Sequence, residues 1–240
     1  MKLFQPGRIG TLEIPNRLVM PPMGTMLANP DGTVSEGLLK YYGRRAQGGV
    51  GMVVVEIAAV DPVQIVSPTQ IRINDDKYIP GLAALARAIK GPGARAAIQI
   101  HHPGRQTSAR VTGVQPVAPS PIPCPLLREE PRAMTLEEIR QTVENFAQGA
   151  RRARAAGFDA IELHGAHGYL ICQFLSPFSN KRTDIYGGDT KNRARLALEI
   201  LEAVRRAVGR DFPVYIRISA HEHVEGGITL EEGIALARLL

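Results

Sequence analysis

Cysteine, tryptophan and long apolar runs are scarce or absent in this sequence. Its 240 residues include two cysteines, Cys124 and Cys172, and neither lies in a CxxC motif. This count excludes a disulfide framework and a four-cysteine metal site. No apolar window approaches the length that crosses a bilayer, and the first residues, MKLFQPGRIG, lack the apolar core of a signal peptide. We therefore expect a cytoplasmic protein with no membrane partner.

Basic residues outnumber acidic ones, but they form no basic stripe with aromatic residues between them. The net charge is +6, and aromatic residues make up 5% of the chain. Lysine and arginine are scattered along helix-like segments such as residues 151–157, which is typical of solvated helix faces. The sequence therefore predicts no nucleic-acid partner. The excess positive charge would instead attract phosphorylated cofactors or substrates.

Short apolar or β-branched runs alternate with longer helical patterns along the chain. This alternation predicts repeated strand-helix units and an α/β fold with a parallel sheet. A capping box at Thr135 and Glu138 marks one helix start, and Gly157 and Gly209 mark two helix ends. The predicted strands are residues 17–20, 51–60, 96–101, 158–164 and 214–219, and the predicted helices are residues 35–47, 79–90, 136–156, 192–208 and 230–240.

The longest connections, residues 103–134 and 165–190, both follow predicted strands. In parallel α/β folds, binding sites form beyond the carboxyl ends of the strands, so these connections mark one functional face. A TIM (β/α)8 barrel needs eight strand-helix units in about 250 residues. Five predicted units already occupy this chain, and its last residues, ITLEEGIALARLL, stop inside a predicted helix without a cap at its end. We therefore predict one domain, residues 1–240, that is an incomplete TIM barrel with about five strand-helix units.

Two histidines and a tyrosine lie close together in the segment HGAHGYL, residues 164–170. His164 ends a predicted strand, and a turn after it would let His164 and His167 donate to one carbonyl oxygen. Tyr169 would then protonate a neighbouring carbon, as a phenol does when an enolate-like centre is quenched. Two alternatives remain open. The imidazoles could be bonded to backbone in a loop, or they could bind a metal in a barrel hydrolase with carboxylates such as Glu162.

Polar side chains also stand in strands that are otherwise apolar. Alternation in VYIRIS directs Arg217 toward the barrel axis, where a guanidinium needs a partner. The sequence shows no acidic partner for Arg217, whereas a flavin, whose reduced ring is negative near N1, would supply one. Gln99 could bond the polar edge of the same ring or the backbone. Gly24, just beyond the prolines that end the first strand, permits a planar ligand to approach closely.

Several segments, taken together, carry a resemblance to one known family. They are NRLVMPPM (16–23), GGVGMVVVE (48–56), IQIHHPGR (98–105), AGFDAIELHGAHGYLICQFLSP (156–177), NKRTDIYGG (180–188) and IRIS (216–219). With them the chain resembles the Old Yellow Enzyme family of FMN-dependent ene-reductases over nearly its whole length. It is most similar to the NADH:flavin oxidoreductase branch, which contains dienoyl-CoA reductases and enoate reductases.

The resemblance implies a TIM barrel that holds FMN at the carboxyl ends of its strands. NADH or NADPH would reduce FMN, and flavin N5 would pass the hydride to an activated alkene. His164 and His167 would bind an electron-withdrawing oxygen of the substrate, and Tyr169 would donate the proton. Gln99 would bond the pyrimidine edge of the flavin, and Arg217 would lie near N1. The further flavin contacts that the resemblance implies are Pro22, Met23, Gly24 and Ala59.

Two positions depart from the family pattern. Gly24 stands where many relatives have cysteine or threonine, and Met26 stands where one branch has an active-site tyrosine. The family's contacts with the FMN phosphate would lie beyond residue 240, as would the iron-sulfur cluster and FAD domain of larger members. A non-catalytic partial barrel and, after it, a metal-dependent hydrolase are the competing predictions. A homo-oligomer is also compatible with the sequence.

Overall fold

A computed structural model describes residues 1–240. Its strands are β1 (Gly7–Ile9), β2 (Leu12–Ile14), β3 (Val19–Met20), β4 (Met52–Ala59), β5 (Arg95–His101), β6 (Val117–Ala118), β7 (Arg132–Ala133), β8 (Ala160–Gly165) and β9 (Val214–Ile218). Its helices are α1 (Glu36–Gln47), α2 (Ile79–Lys90), α3 (Ala109–Thr112), α4 (Leu136–Ala155), α5 (Leu170–Leu175), α6 (Thr190–Val208) and α7 (Leu230–Leu239). None of these helices combines the length and the apolar character that crossing a membrane requires.

Five strands form one parallel sheet in the order β3-β4-β5-β8-β9. Successive strands are joined through α1, α2, α4 and α6, as parallel pairing requires. This arrangement confirms the predicted α/β fold with about five strand-helix units. The predicted strand at residues 17–20 is shorter than expected, since β3 spans Val19–Met20. Pro21 and Pro22, which follow it, have no N–H to donate to a ladder.

The two faces of the sheet bury different residues because side chains alternate along each strand. Val53, Ile98 and Ile161 on the outer face pack with the helices in a core of 42 buried residues. Each fully buried aliphatic side chain contributes about 1.5–3 kcal/mol of transfer free energy. Met52 and Ala97 belong to a small apolar cluster near the amino ends of the strands, on the inner face. The carboxyl half of the inner face is left for polar residues.

A β-hairpin that the sequence analysis did not predict covers the amino ends of the strands. Gly10 in its tight turn has a φ of 57°, a left-handed conformation that glycine adopts without strain. Ile14 of this hairpin packs in the small inner cluster with Met52, and Arg95 Nε donates to the Glu13 carbonyl at 2.8 Å. The hairpin therefore closes the end of the sheet opposite to the long connections.

The two long connections pack against each other over the carboxyl ends of the strands. Arg182, in the connection after β8, donates to the carbonyls of Pro119 and Met134 at 3.1 and 2.7 Å. Both acceptors belong to the connection after β5, which contains the short parallel pair β6 and β7. One guanidinium thus fixes the proline-rich segment to its neighbour and builds a rim around the inner face.

Candidate functional site

The strand register brings polar side chains from three strands to one side of the sheet. Gln99 is paired with Glu162, and His164 is paired with Arg217, so the side chains in each pair point the same way. Ile216, the residue before Arg217, packs instead against the outer core. The inward orientation predicted for Arg217 is therefore confirmed, and the inner face carries a polar group at its carboxyl end.

Glu162 is a partner in this group that the sequence analysis did not assign. Gln99 Nε2 donates to Glu162 Oε1 at 2.5 Å. Burial raises the pKa of Glu162 above its usual value, and the nearby charge of Arg217 opposes that shift. Glu162 is thus a nearby carboxylate that the charge of Arg217 affects, although the two side chains form no ion pair. Arg217 also donates no hydrogen bond within the chain, so its guanidinium is still open to a ligand.

His164, His167 and Tyr169 come together at the end of β8. The ring centroids of His164 and His167 are 5.1 Å apart with an interplanar angle of 84°. The Tyr169 ring lies 4.9 Å from that of His164. The two imidazoles and the phenol therefore form one cluster, as the proposed roles of these residues require.

A left-handed turn after β8 gives the cluster its shape. His167 has a φ of 59°, a conformation that is uncommon for a residue with a side chain. Its N–H donates to Ser219 Oγ at 3.0 Å, and its carbonyl accepts from Gln106 Nε2 at 2.7 Å. Contacts from two other connections thus hold the backbone at this residue and direct its ring toward His164.

Burial keeps the two imidazoles neutral. It lowers the pKa of His164 to about 3, and the charges of His167 and Arg217 act in the same direction. Burial also lowers the pKa of His167, again with a contribution from Arg217. A neutral imidazole has one N–H to donate. Both side chains can therefore act as neutral hydrogen-bond donors, which is the role that the sequence analysis gave them.

His101 is a further member of the cluster, and the sequence analysis did not single it out. It ends β5, is fully buried, and has no hydrogen-bond partner at either ring nitrogen. Its ring centroid lies 4.4 Å from that of Tyr169 and 5.5 Å from that of His164. The alternation that places Gln99 inward also places His101 inward, so this signal was present in the sequence.

The segment after β3 lies open at the rim. Met23 and Gly24 are exposed, and Pro22 is half-buried. A Cβ built on Gly24 would meet one atom within 4 Å, Met26 Cε at 3.6 Å, so the chain's own packing does not require glycine there. Thr25 N donates to Glu56 Oε2 at 2.9 Å. The segment is thus anchored at Thr25 while the residues before it stay accessible to a ligand.

Ala59 occupies a more enclosed position than these residues. It is fully buried, and its register partner is His101. Its N–H donates to the Ile71 carbonyl, and its own carbonyl accepts from Ile73 N, both at 2.9 Å. Both backbone groups are therefore engaged within the chain, and a flavin contact at Ala59 would have to be a van der Waals contact.

Several buried polar atoms at the inner face have no partner within the chain. They are both ring nitrogens of His101, His164 Nδ1 and the Tyr215 hydroxyl. An unpaired buried polar group costs about 1–3 kcal/mol, so these atoms indicate a polar ligand. Together with the open guanidinium of Arg217 and the accessible backbone at Gly24, they fit a planar ring with a polar edge that becomes negative on reduction, as FMN does.

The metal-hydrolase alternative requires histidines and carboxylates that converge on one point. Glu162 is bonded to Gln99, and Glu222 accepts from Ser176 Oγ at 2.5 Å. No group of three or more His, Cys, Asp or Glu side chains has an arrangement that could hold a metal ion. The donor set that this alternative needs is therefore not formed by these residues.

The buried histidines give the protein a predicted pH dependence. Because the folded-state pKa of His164 is about 3 and the usual value is 6.5, the unfolded chain binds more protons between these limits. The free energy of unfolding should therefore fall by about 1.4 kcal/mol per pH unit for each such histidine as the pH drops below about 6.5. Urea unfolding between about pH 7 and pH 5 measures this slope.

The variant His164→Asn provides the control for that measurement. It removes one buried titrating group and should make the slope shallower by about 1.4 kcal/mol per pH unit. A free energy of unfolding that stays constant over this range in the unchanged protein would contradict the burial of neutral imidazoles.

Solved structures and related sequences share the architecture of this chain. In solved structures, a 2-naphthoyl-CoA reductase in complex with 2-naphthoyl-CoA matches with a TM-score of 0.96 and 33% identity, covering 99% of this chain and 38% of that one. Morphinone reductase in complex with tetrahydroNAD matches with a TM-score of 0.89 and 33% identity, covering 99% of this chain and 69% of that one.

Related sequences agree with the structural matches. An NADH oxidase of Thermoanaerobacter brockii is 52% identical over 240 residues, which are 99% of this chain and 37% of the relative. An NADPH dehydrogenase of Clostridium acetobutylicum is 40% identical over 241 aligned positions, which cover 100% of this chain and 70% of the relative. The chain thus spans little more than a third of the first relative's length and about two thirds of the second's.

The fold and these matches together define the class of this chain as part of an α/β barrel. The profile of the NADH:flavin oxidoreductase / NADH oxidase family matches residues 2–240, and the chain belongs to this family. The predicted resemblance to Old Yellow Enzymes is thereby confirmed. FMN and a nicotinamide donor, NADH or NADPH, are characteristic cofactors of this family, in agreement with the predicted cofactors.

Proposed function

We propose that this chain is the FMN- and substrate-binding unit of an NAD(P)H-dependent ene-reductase. The substrate is an activated C=C bond, such as that of an enone, an enoate or a dienoyl-CoA. The observation that carries the proposal is the convergence of His164, His167 and Tyr169 on the inner face beside the cationic Arg217. The proposal includes a cytoplasmic location and a small-molecule alkene as the partner.

The chain offers FMN contacts on two sides. Arg217 provides a positive charge for the part of the ring that becomes negative on reduction. Gln99, fixed by its bond to Glu162, would face the pyrimidine edge. When bound there, FMN would supply hydride chemistry between NADH or NADPH and the β carbon of the alkene. The remaining proposed contacts are Pro22, Met23, Gly24 and Ala59.

His164 and His167 bind the oxygen that activates the alkene. Their rings are nearly perpendicular and 5.1 Å apart, which leaves room for one acceptor between two N–H groups. Two donors directed at an oxygen stabilise the negative charge that develops on it as hydride reaches the β carbon. Because both imidazoles are neutral, they do this without transferring a proton to the oxygen.

Tyr169 donates the proton that completes the reduction. Burial raises the pKa of Tyr169 above its usual value, so the phenol keeps its proton at neutral pH. Its ring lies 4.9 Å from that of His164, which places the hydroxyl group near a substrate held by the two imidazoles. The O–H bond breaks, and the proton goes to the α carbon while the electron pair stays on the phenolate.

The relatives support reduction but differ in the acceptor. A 2-naphthoyl-CoA reductase and a morphinone reductase are among the structural matches. An NADH oxidase and a metal reductase of Desulforamulus reducens, 43% identical, are among the related sequences. The alkene is proposed because the paired N–H donors and the phenol are the groups that a carbonyl-activated C=C bond needs.

The experiment is an anaerobic assay of NADH and NADPH oxidation by the full-length protein. 2-Cyclohexenone serves as the acceptor, and cyclohexanone serves as the matched control because it has the carbonyl but no alkene. We expect cofactor oxidation and cyclohexanone formation with the enone, and no oxidation with the saturated ketone. NAD(P)H oxidation that requires oxygen and yields no reduced enone would contradict the proposed function and would favour an oxidase.

A further inference from the structure

His101 is a buried polar side chain whose presence needs an explanation. It is fully buried, and neither ring nitrogen has a hydrogen-bond partner. An unpaired buried donor or acceptor is destabilising, and an apolar side chain could fill the same space without that cost. Its neighbours in sequence do not share this property, since Ile100 is apolar and His102 Nδ1 accepts from Gly104 N at 3.0 Å.

The contacts of His101 connect it with Tyr169. The two ring centroids are 4.4 Å apart, and the ring planes are nearly perpendicular, at 89°. The imidazole is tilted by 41° against His164, with the centroids 5.5 Å apart. His101 therefore makes an edge-to-face contact with Tyr169, the proposed proton donor. It also lies next to His164, one of the two residues proposed to bind the substrate oxygen.

Other charged and titratable groups face this cluster from every neighbouring element. His102 follows His101 on β5, His164 and His167 belong to the end of β8, Arg217 belongs to β9, and Cys124 belongs to the connection after β5. Burial, together with His164 and His102, lowers the pKa of His101 well below its usual value. The imidazole is therefore neutral and has one N–H without an acceptor.

We propose that His101 is a positioning residue for Tyr169, and that its N–H stabilises the negative charge on the phenol once the proton has moved to the substrate. This inference rests on the proposed function. His164 and His167 are occupied by the substrate oxygen, whereas the nitrogens of His101 are free. Tyr169 loses its proton to the α carbon, His101 keeps its own proton, and water later returns a proton to the phenolate. No oxidant or reductant beyond those of the hydride step is needed.

The test uses two variants in the full-length, flavin-loaded protein. His101→Phe keeps a ring against Tyr169 but removes the N–H, and His101→Gln restores an N–H donor. Single-turnover measurements follow flavin reduction by NAD(P)H and alkene reduction separately. We expect His101→Phe to slow alkene reduction by about ten- to a hundredfold without slowing flavin reduction, and His101→Gln to recover most of the lost rate.

A second measurement does not depend on turnover. The Tyr169 phenol is titrated by NMR of ¹³C-labelled tyrosine, with Tyr169→Phe assigning the resonance. In His101→Phe the pKa of Tyr169 should rise by about one unit or more, since a tenfold change corresponds to one unit. In His101→Gln it should stay close to the value of the unchanged protein. A space-filling role for His101 would not produce this difference.

The outcomes separate this inference from the proposed function. If the unchanged protein does not reduce 2-cyclohexenone, the proposed function fails, and if Tyr169→Phe reduces it at the normal rate, the proton-donor role of Tyr169 fails and the role of His101 fails with it. If Tyr169→Phe is slow but His101→Phe leaves the Tyr169 titration unchanged, or slows both half-reactions equally, only the role of His101 fails. If His101→Phe does not fold, the role of His101 is tested with His101→Gln and with histidine NMR of the unchanged protein. A His101 ring that is protonated at about pH 6 would overturn the inference.

Discussion

Replacing Tyr169 with phenylalanine should slow alkene reduction by about 10²- to 10⁴-fold, the range that a positioned general acid contributes. The phenol is the proton donor of the cluster, and its ring lies 4.9 Å from His164 and 4.4 Å from His101. Phenylalanine keeps these ring contacts and removes the hydroxyl group alone. Rapid-mixing experiments that record flavin reduction and alkene reduction separately provide the measurement.

Flavin reduction is the internal control for this variant. NAD(P)H does not need the phenolic proton to transfer hydride, so this half-reaction should keep its rate in Tyr169→Phe. Equal slowing of both half-reactions would mean that the hydroxyl group supports the structure of the site rather than proton transfer to the substrate.

Replacing Arg217 with methionine should weaken FMN binding by about ten- to a hundredfold, since a hydrogen bond to a charged group contributes about 1.5–3 kcal/mol. Arg217 lies on the inner face, is paired in register with His164, and donates no hydrogen bond to the chain. Methionine removes the cation while keeping much of the length of the side chain. Fluorescence titration of the FMN-free protein with FMN measures the dissociation constant.

Two further results accompany the loss of this cation. Arg217→Lys retains the charge and should bind FMN more tightly than Arg217→Met. Glu162 loses the charge that opposes the effect of burial on its pKa, so in the FMN-free methionine variant this carboxyl should titrate at higher pH than in the unchanged protein. A methionine variant that binds FMN as tightly as the unchanged protein would contradict the contact assigned to Arg217.

Most of the sheet could be predicted because its strands follow simple local rules. Residues 96–101 and 214–219 were recognised from apolar runs and alternation, and they correspond to β5 and β9. The α4 helix begins at the capping box that Thr135 and Glu138 form. The hairpin and the pair of β6 and β7 were missed because their strands have two or three residues each, too few for a periodic pattern to show.

From the sequence, the direction of a side chain could be predicted within a single strand, but its contacts with a neighbouring strand could not. Alternation within β9 gave the direction of Arg217, but its proximity to Glu162 depends on the register between neighbouring strands, which one strand's sequence does not encode. The hydrogen bond between Glu56 and Tyr42 could not be predicted either. A register shift between Val55 and Ala58 accompanies its bond to the Tyr42 hydroxyl at 3.1 Å, and alternation alone does not predict this contact.

All the proposed residue roles require that the polar inner face of this sheet binds FMN. The most direct test is a titration of FMN into the FMN-free, full-length protein, followed by flavin fluorescence. We expect saturable quenching that is complete at equal molar amounts of FMN and protein and is weakened in Arg217→Met. Fluorescence that decreases without saturation, or not at all, in a protein that is folded would contradict it.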